Sequence, residues 1–272
     1  MTLVWRNHPV DESTKTLVWR CFVITLVVLV HLFVSVKSYA DETVMLKTGY
    51  MMLDVKGSFA ASGAGIPGSL IDVDSALKLN RSNGMSVEGA VQLGDVRASL
   101  NYFPIDFSGD GVLASTVQYN GQAYAAGNAV HASLKADVFD ASLTYYLLNM
   151  DDLPSRLQLG VEATVKIVYA TSSLQDQLTG QAQSKSATLS IPTLGARGRV
   201  AVSDLVGLTG RAGYMGYAGN HFLDSEVQFE FSPLPTAGVY AGYRLIDLKL
   251  DRAGVLLNNN ISGPFVGGFV RF

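Results

Sequence analysis

Apolar and polar residues alternate along much of this chain with a period of two. From 85 to 93, Met85, Val87, Gly89, Val91 and Leu93 share one face, and Ser86, Glu88, Ala90 and Gln92 share the other. That is the signature of a strand with one apolar and one polar side. After Gly94-Asp95, Val96, Ala98, Leu100, Tyr102 and Pro104 alternate with Arg97, Ser99, Asn101 and Phe103, which predicts a hairpin with a very short connection. The longest run sets Leu157, Leu159, Val161, Ala163, Val165, Ile167 and Tyr169 against Gln158, Gly160, Glu162, Thr164 and Lys166. The pattern predicts ten strands, over 46–59, 85–94, 95–107, 132–148, 157–170, 188–202, 206–217, 224–232, 237–250 and 261–272. Eight is the alternative if the pair around 224–250 is not formed.

A soluble sandwich shows the same period, so strand length, turn lengths and aromatic positions decide between the two. Runs of about 9 to 14 residues suit tilted membrane strands, which need roughly 9 to 11, better than soluble strands of about 5 or 6. Short connections (94–95, 149–156, 203–206 and 233–236) alternate with long ones (60–84, 109–131, 171–187 and 251–260), apart from a shorter one near 218–223. Outer-membrane barrels are built that way, with short periplasmic turns and longer outer loops. Phe59, Tyr102, Tyr145, Tyr146, Tyr169, Tyr214, Tyr243 and Phe272 fall near predicted strand ends, where interface girdles lie. The expected fold is all-β, a transmembrane antiparallel up-and-down β-barrel of ten strands over residues 41–272.

Composition adds an export signal. Arg6, Lys15 and Arg20 precede an apolar run at 21–36, and Ser38-Tyr39-Ala40 supplies small residues for cleavage, so residues 1–40 are expected to be a cleaved signal peptide. The apolar run has 16 residues, fewer than the roughly 20 that span a bilayer. Cleavage removes Cys21, the only cysteine, and with it disulfide and thiolate chemistry. The remaining chain carries 16 basic and 21 acidic side chains, a net charge of −5 without long like-charge runs, so nucleic acid is not an expected partner. No stretch of it reaches 18 consecutive apolar residues. Spanning must therefore be by a closed barrel, in which every backbone polar group finds a partner.

The last residues, ISGPFVGGFVRF, place Gly267, Val270 and Phe272 where the assembly signal of bacterial outer-membrane barrels has its glycine, apolar and terminal aromatic positions. Phe265 stands where that signal has a polar residue. With GYRLIDLKLD before it, this segment resembles the last hairpin of small outer-membrane β-barrel proteins of Gram-negative bacteria, of the size of the OmpW, OmpX and omptin groups. The resemblance implies residence in the outer membrane, with membrane lipid and the barrel-assembly machinery as partners. It carries no specific activity.

If the apolar set faces lipid throughout, the opposite set lines the lumen. That set contains Asp54, Lys56, Glu88, Arg97, Asp140, Glu162, Lys166, Arg197, Arg199, Arg211, Glu226, Glu230 and Arg244, six acidic and seven basic. In a narrow barrel such charges pair with one another, giving a salt-bridged plug. The alternative is a narrow conduit in which Arg197, Arg199, Arg211 and Arg244 select anions.

Catalytic candidates are sparse. His131-Ala132-Ser133 resembles the H-x-S piece of outer-membrane lipid A deacylases, in which the histidine is the general base for the serine. That family has an orienting Glu downstream, where this chain has LTYYL at 143–147. An omptin-like protease would draw on His221 and Asp224 with Asp106 and Asp110 at the outer rim. His131 and His221, the only histidines beyond residue 40, lack metal-ligand spacing, and no metal or cofactor is expected. Two loop segments stand out instead. Residues 70–80 (LIDVDSALKLN) are apolar for a loop and predict a short amphipathic helix capping the mouth, or a gate over a hydrophobic-ligand groove. Asn120-Gly121, flanked by Tyr119 and Tyr124, predicts a hairpin extending the sheet. The expected role is non-enzymatic: structural, or passage of a small solute or hydrophobic ligand.

Overall fold

A computed structural model describes residues 42–62, 65, 67–73, 76–150, 156–252 and 255–272. The signal predicted for residues 1–40 and the centre of the connection at 149–156 lie outside them. The ten long strands are β1 (Glu42–Ala61), β3 (Ser82–Leu93), β4 (Val96–Val112), β7 (Ala129–Met150), β8 (Arg156–Asp176), β9 (Ala182–Ala201), β10 (Val206–Tyr217), β11 (Asn220–Leu234), β12 (Ala237–Arg252) and β13 (Val255–Arg271). Each neighbours the next, and β13 pairs antiparallel with β1, so the sheet closes into a ten-stranded barrel. At the seam Gly267 sits opposite Gly49, and Phe272 exchanges both backbone hydrogen bonds with Val44 at 2.9 Å. Three short pieces, β2 (Ile71–Asp72), β5 (Val117–Tyr119) and β6 (Gln122–Tyr124), belong to the first two long loops.

The lipid-facing belt follows from the alternation. On β8 Leu159, Val161, Ala163, Val165 and Ile167 point outward and are exposed, whereas Gln158, Glu162, Thr164 and Lys166 are buried inside. Tyr102, Phe139 and Tyr169 stack side by side at the upper edge of this belt, with ring centroids 4.8 and 6.1 Å apart, and the Tyr102 hydroxyl donates to Asp137 at 2.9 Å. Amphipathic rings suit that boundary, with an apolar body below and a wet hydroxyl above. Phe59 and Tyr146, also expected in the girdles, are buried inside instead. β7 and β8, of 22 and 21 residues, run well past the belt at the end opposite the short turns, where Lys135, Thr171, Ser173 and Gln175 replace its apolar outer residues.

That projecting end is filled. Leu53, Phe59, Phe103, Phe107, Val130 and Leu174 point inward from the wall, and Ile71, Val73 and Leu77 of the first loop pack on them. Residues 70–80 thus cap the mouth as the sequence suggests, but as the bridge β2 and turns among the described residues rather than a helix. Their backbone docks directly on β4. A side chain at Gly111 would strike the carbonyl oxygen of Ala76, and one at Gly109 those of Leu77 and Lys78. The β5–β6 hairpin turns at Asn120-Gly121 with φ of 49° and 83°, the paired left-handed geometry of a two-residue hairpin turn. It does not extend the wall. It folds across the mouth, with the Tyr119 hydroxyl 2.7 Å from that of Ser172 and the Tyr124 hydroxyl donating to the Leu174 carbonyl at 3.1 Å.

Above the belt, Asp176 ends β8 and organises the next connection. Its carboxylate accepts the N–H groups of Leu178 and Thr179 at 2.8 and 2.9 Å, and the Asn128 amide at 2.5 Å. The Thr179 N–H first, and then the Asn128 amide, hold its pKa below the usual carboxylate range. Folding therefore disfavours its protonation: the contribution is whole above the ordinary aspartate pKa and is lost as the pH falls through the lower folded value. The Thr179 amide resonance is expected to titrate with a midpoint below that of an ordinary aspartate, and to stop titrating in Asp176→Asn. A midpoint in the ordinary range would contradict this.

Candidate functional site: a charged lumen open at one end

Below the apolar fill, the inward face becomes charged, and the charges are arranged in tiers. The upper tier centres on Asp140 and Asp224. Arg244 grips Asp224 through Nε at 2.9 Å and Nη2 at 2.7 Å and lies 3.4 Å from Asp140. Lys166 Nζ is 2.7 Å from Asp140 and 2.5 Å from Asp224. Arg211 completes the tier, 3.1 Å from Glu226. Two cations also meet the apolar layer above: the Arg244 guanidinium stacks on Phe103 at 4.0 Å, and Lys166 lies 5.9 Å from the Phe222 ring centroid.

The middle tier pairs Arg197 Nε with Glu162 at 2.5 Å and Arg97 Nη2 with Glu88 at 2.8 Å, while Thr144 donates to Glu162 at 2.9 Å. The lowest tier gathers around Glu230. It accepts from Gln228 at 2.6 Å, Thr209 at 3.2 Å and Arg199 Nε at 3.3 Å, with Lys47 Nζ at 3.7 Å. Four donors converging on one carboxylate offset the cost of taking its charge out of bulk water.

Of the residues expected in the lumen, Glu88, Arg97, Asp140, Glu162, Lys166, Arg197, Arg199, Arg211, Glu226, Glu230 and Arg244 point inward and meet there. Asp54 and Lys56 do not. They lie on the outer face, where Asp54 takes a two-pronged bond from Arg81 at 3.0 and 2.8 Å. The inward positions of β1 are Lys47, Met51, Leu53 and Val55, so its inner face is apolar where it meets the plug. Lys47 and Asp224 take their places inside. Each sits in register with expected members, Lys47 near Glu230 and Asp224 two residues before Glu226, and that spacing is the signal that finds them. Gly267, Val270 and Phe272 line the seam near the short-turn end.

The catalytic candidates do not assemble. His131 Nδ1 is 2.9 Å from Asp110, but the Ser133 hydroxyl is bonded to Ser173 at 2.8 Å. Asp106 pairs with Lys135 at 3.1 Å. His221 pairs with Asp247 at 3.4 Å, while Asp224, its expected partner, is inside the barrel. Among the described residues no three His, Asp or Glu side chains converge as metal ligands.

At the end carrying the short turns the lumen opens into a cavity of about 640 Å³, entered between residues 204–205, 233–236 and 271–272. Lys47, Arg97, Arg156, Arg197, Arg199 and Arg271 line it, against the acidic side chains of Asp204 and Glu230. Short turns face the periplasm in such barrels, so this vestibule opens to the periplasm and the plug faces outward.

No family model matches the chain, and no curated protein sequence matches it. Solved structures do. The outer-membrane protease OmpT from Escherichia coli is similar over 88% of this chain and 99% of its own, with 13% identity and a TM-score of 0.51. The translocator domain of the autotransporter NalP from Neisseria meningitidis aligns over 95% and 98% at 13% identity and a TM-score of 0.37. Neisserial surface protein A aligns over 85% and 97% at 13% identity and 0.35. At such identities the likeness is one of fold, that of an outer-membrane β-barrel.

Proposed function

We propose that this chain is a closed, non-enzymatic barrel of the outer membrane that conducts neither ions nor solutes. The observation that carries the reading is the plug. Ile71, Val73, Leu77, Tyr119 and Tyr124 from two loops fill the outer half of the lumen with buried apolar bulk, and the Asp140–Lys166 and Asp224–Arg244 pairs cross the lumen between that bulk and the vestibule. An ion crossing would have to shed water in the first region and break pairs in the second, and both steps are costly. Selection of anions in transit by Arg197 and Arg199 is disfavoured because they face a vestibule capped by these two layers. A route for a hydrophobic ligand would need space that the loop side chains occupy.

Liposome swelling tests this. Proteoliposomes are expected to swell in isosmotic arabinose no faster than empty vesicles, and sugar-size-dependent swelling would refute the closed reading.

A further inference from the structure

We propose that the upper edge of β9, at Ser186, Thr188 and Ser190, is a docking site for an extended segment of another polypeptide, which adds to the wall as a strand. β9 pairs with β8 from Arg156↔Ala201 up to Gln175↔Ala182, but with β10 only from Gly207↔Ala201 to Tyr214↔Leu194. The β10–β11 hairpin turns at Ala218-Gly219, so the wall on that side ends low while β9 runs on. The Val202 N–H donates to the Val206 carbonyl at 3.1 Å, which fixes the phase: even-numbered residues of β9 turn their backbone groups toward β10 and odd-numbered ones toward β8. Pro192 is even and has no N–H to give, and the ladder to β10 ends beside it. Above it the N–H and C=O groups of Ser186, Thr188 and Ser190 point away from β8 and, among the described residues, meet no partner. All three residues are exposed. Ser184 gives its carbonyl oxygen to Asn120 Nδ2 at 3.1 Å, which marks the top of the free stretch.

Unpaired donors and acceptors alternating at the pitch of a strand are matched by another extended main chain, which can exchange two bonds with each of the three residues. Proteins commonly blunt such an edge with charge, proline or a covering loop. Here Pro192 guards only its foot. The flanks set the pattern of the partner. Leu189 and Met215 pack on the plug at the inner side of this notch, and the hydroxyls of Ser186, Thr188 and Ser190 line the outer side. A segment whose apolar residues alternate with small polar ones therefore fits, with its apolar side turned in. Thr188 stands opposite Tyr169 at the upper edge of the lipid belt, so the edge is reached from the membrane surface. Strands of such barrels tilt by about 35–45°, so the β9 strands of two copies in one membrane would cross at roughly 70–90° and could not run side by side. That favours a different polypeptide over a second copy. Strand addition on the wall leaves the lumen as it is, so it goes beyond the closed-barrel reading and does not depend on it.

The probe is a fluorescein-labelled heptapeptide of alternating threonine and valine, titrated into the folded full barrel in zwitterionic micelles and followed by anisotropy and by amide exchange of the barrel. Saturable binding that slows exchange at Ser186, Thr188 and Ser190 is expected. The same peptide methylated at the amides of one edge keeps its side chains but loses those donors, and should bind roughly tenfold more weakly or worse. Thr188→Pro removes one edge donor without touching a bond to β8, so the barrel should keep its heat-modifiable gel shift while binding falls roughly tenfold. Ser186→Ala, which changes a side chain and no backbone group, should bind as the parent does. No saturable binding, equal binding of the methylated peptide, or unchanged affinity in Thr188→Pro overturns the proposal. A dimer in sedimentation whose edge amides are protected without peptide would give the edge to a second copy and overturn it as well.

Discussion

Arg244→Ala is expected to destabilise the folded barrel by about 3–5 kcal/mol, the cost of removing one partner from a buried ion pair. The side chain is only 2% exposed and its partner Asp224 4%. Truncation would withdraw both bonds to Asp224, the contact with Asp140 and the stacking on Phe103 in one step. Lys166 would then be left as the close cation between two carboxylates in an interior that water does not reach. The measurement is urea unfolding in lipid vesicles, followed by the heat-modifiable gel shift of folded barrels. Adding Asp224→Asn to Arg244→Ala should restore part of the loss, since the orphaned charge carries much of the penalty. A loss below about 1 kcal/mol, the worth of an exposed pair, would mean that water penetrates this tier.

The second large effect concerns the plug. Tyr119→Ala with Tyr124→Ala is expected to unseat both loops, because each truncation of a buried aromatic costs about 3–5 kcal/mol. Both rings are almost wholly buried, and their hydroxyls are the hairpin's bonds to β8. Tyr119 also meets Phe59 edge-on at 6.0 Å, and Gln118 exchanges hydrogen bonds with Ser69 at 2.9 and 3.0 Å, so the two loops hold each other. Proteolysis and amide exchange should rise together over 69–80 and 113–128 while the ten-stranded ladder stays protected. The charge tiers lie below the plug and remain in place, so the variant is still expected not to conduct. Exchange that rises in only one of the two loops would show that they seat independently.

The strands were legible because lipid requires an apolar outer face and the short turns keep register. All ten predicted spans overlap observed strands, and Gly94-Asp95 marks a true hairpin turn. The sequence is ambiguous where both faces are apolar. On β1, Tyr50 and Met52 face out while Met51, Leu53 and Val55 face in, so an apolar residue does not tell which side it takes, and the pattern alone puts Asp54 on the wrong one. Asp224 was obscured differently. β11 begins at Asn220 rather than 224, so a residue that looked terminal lies well inside the strand, in phase with Glu226 and Glu230. The plug left a trace in the apolar run at 70–80, but its partners could not be read. Phe103, Phe107, Val130 and Leu174 sit on the neighbouring strands β4, β7 and β8, and alternation alone does not show that the first loop folds back onto them.

Closure of the lumen is the central claim, and single-channel recording tests it most directly. Purified barrel inserted in a planar bilayer is expected to give no current steps above baseline at either polarity, in the parent and in Tyr119→Ala with Tyr124→Ala alike. Steady unitary steps in the parent, with an anion preference that reverses in Arg197→Glu, would contradict the account and establish the lumen as a conduit.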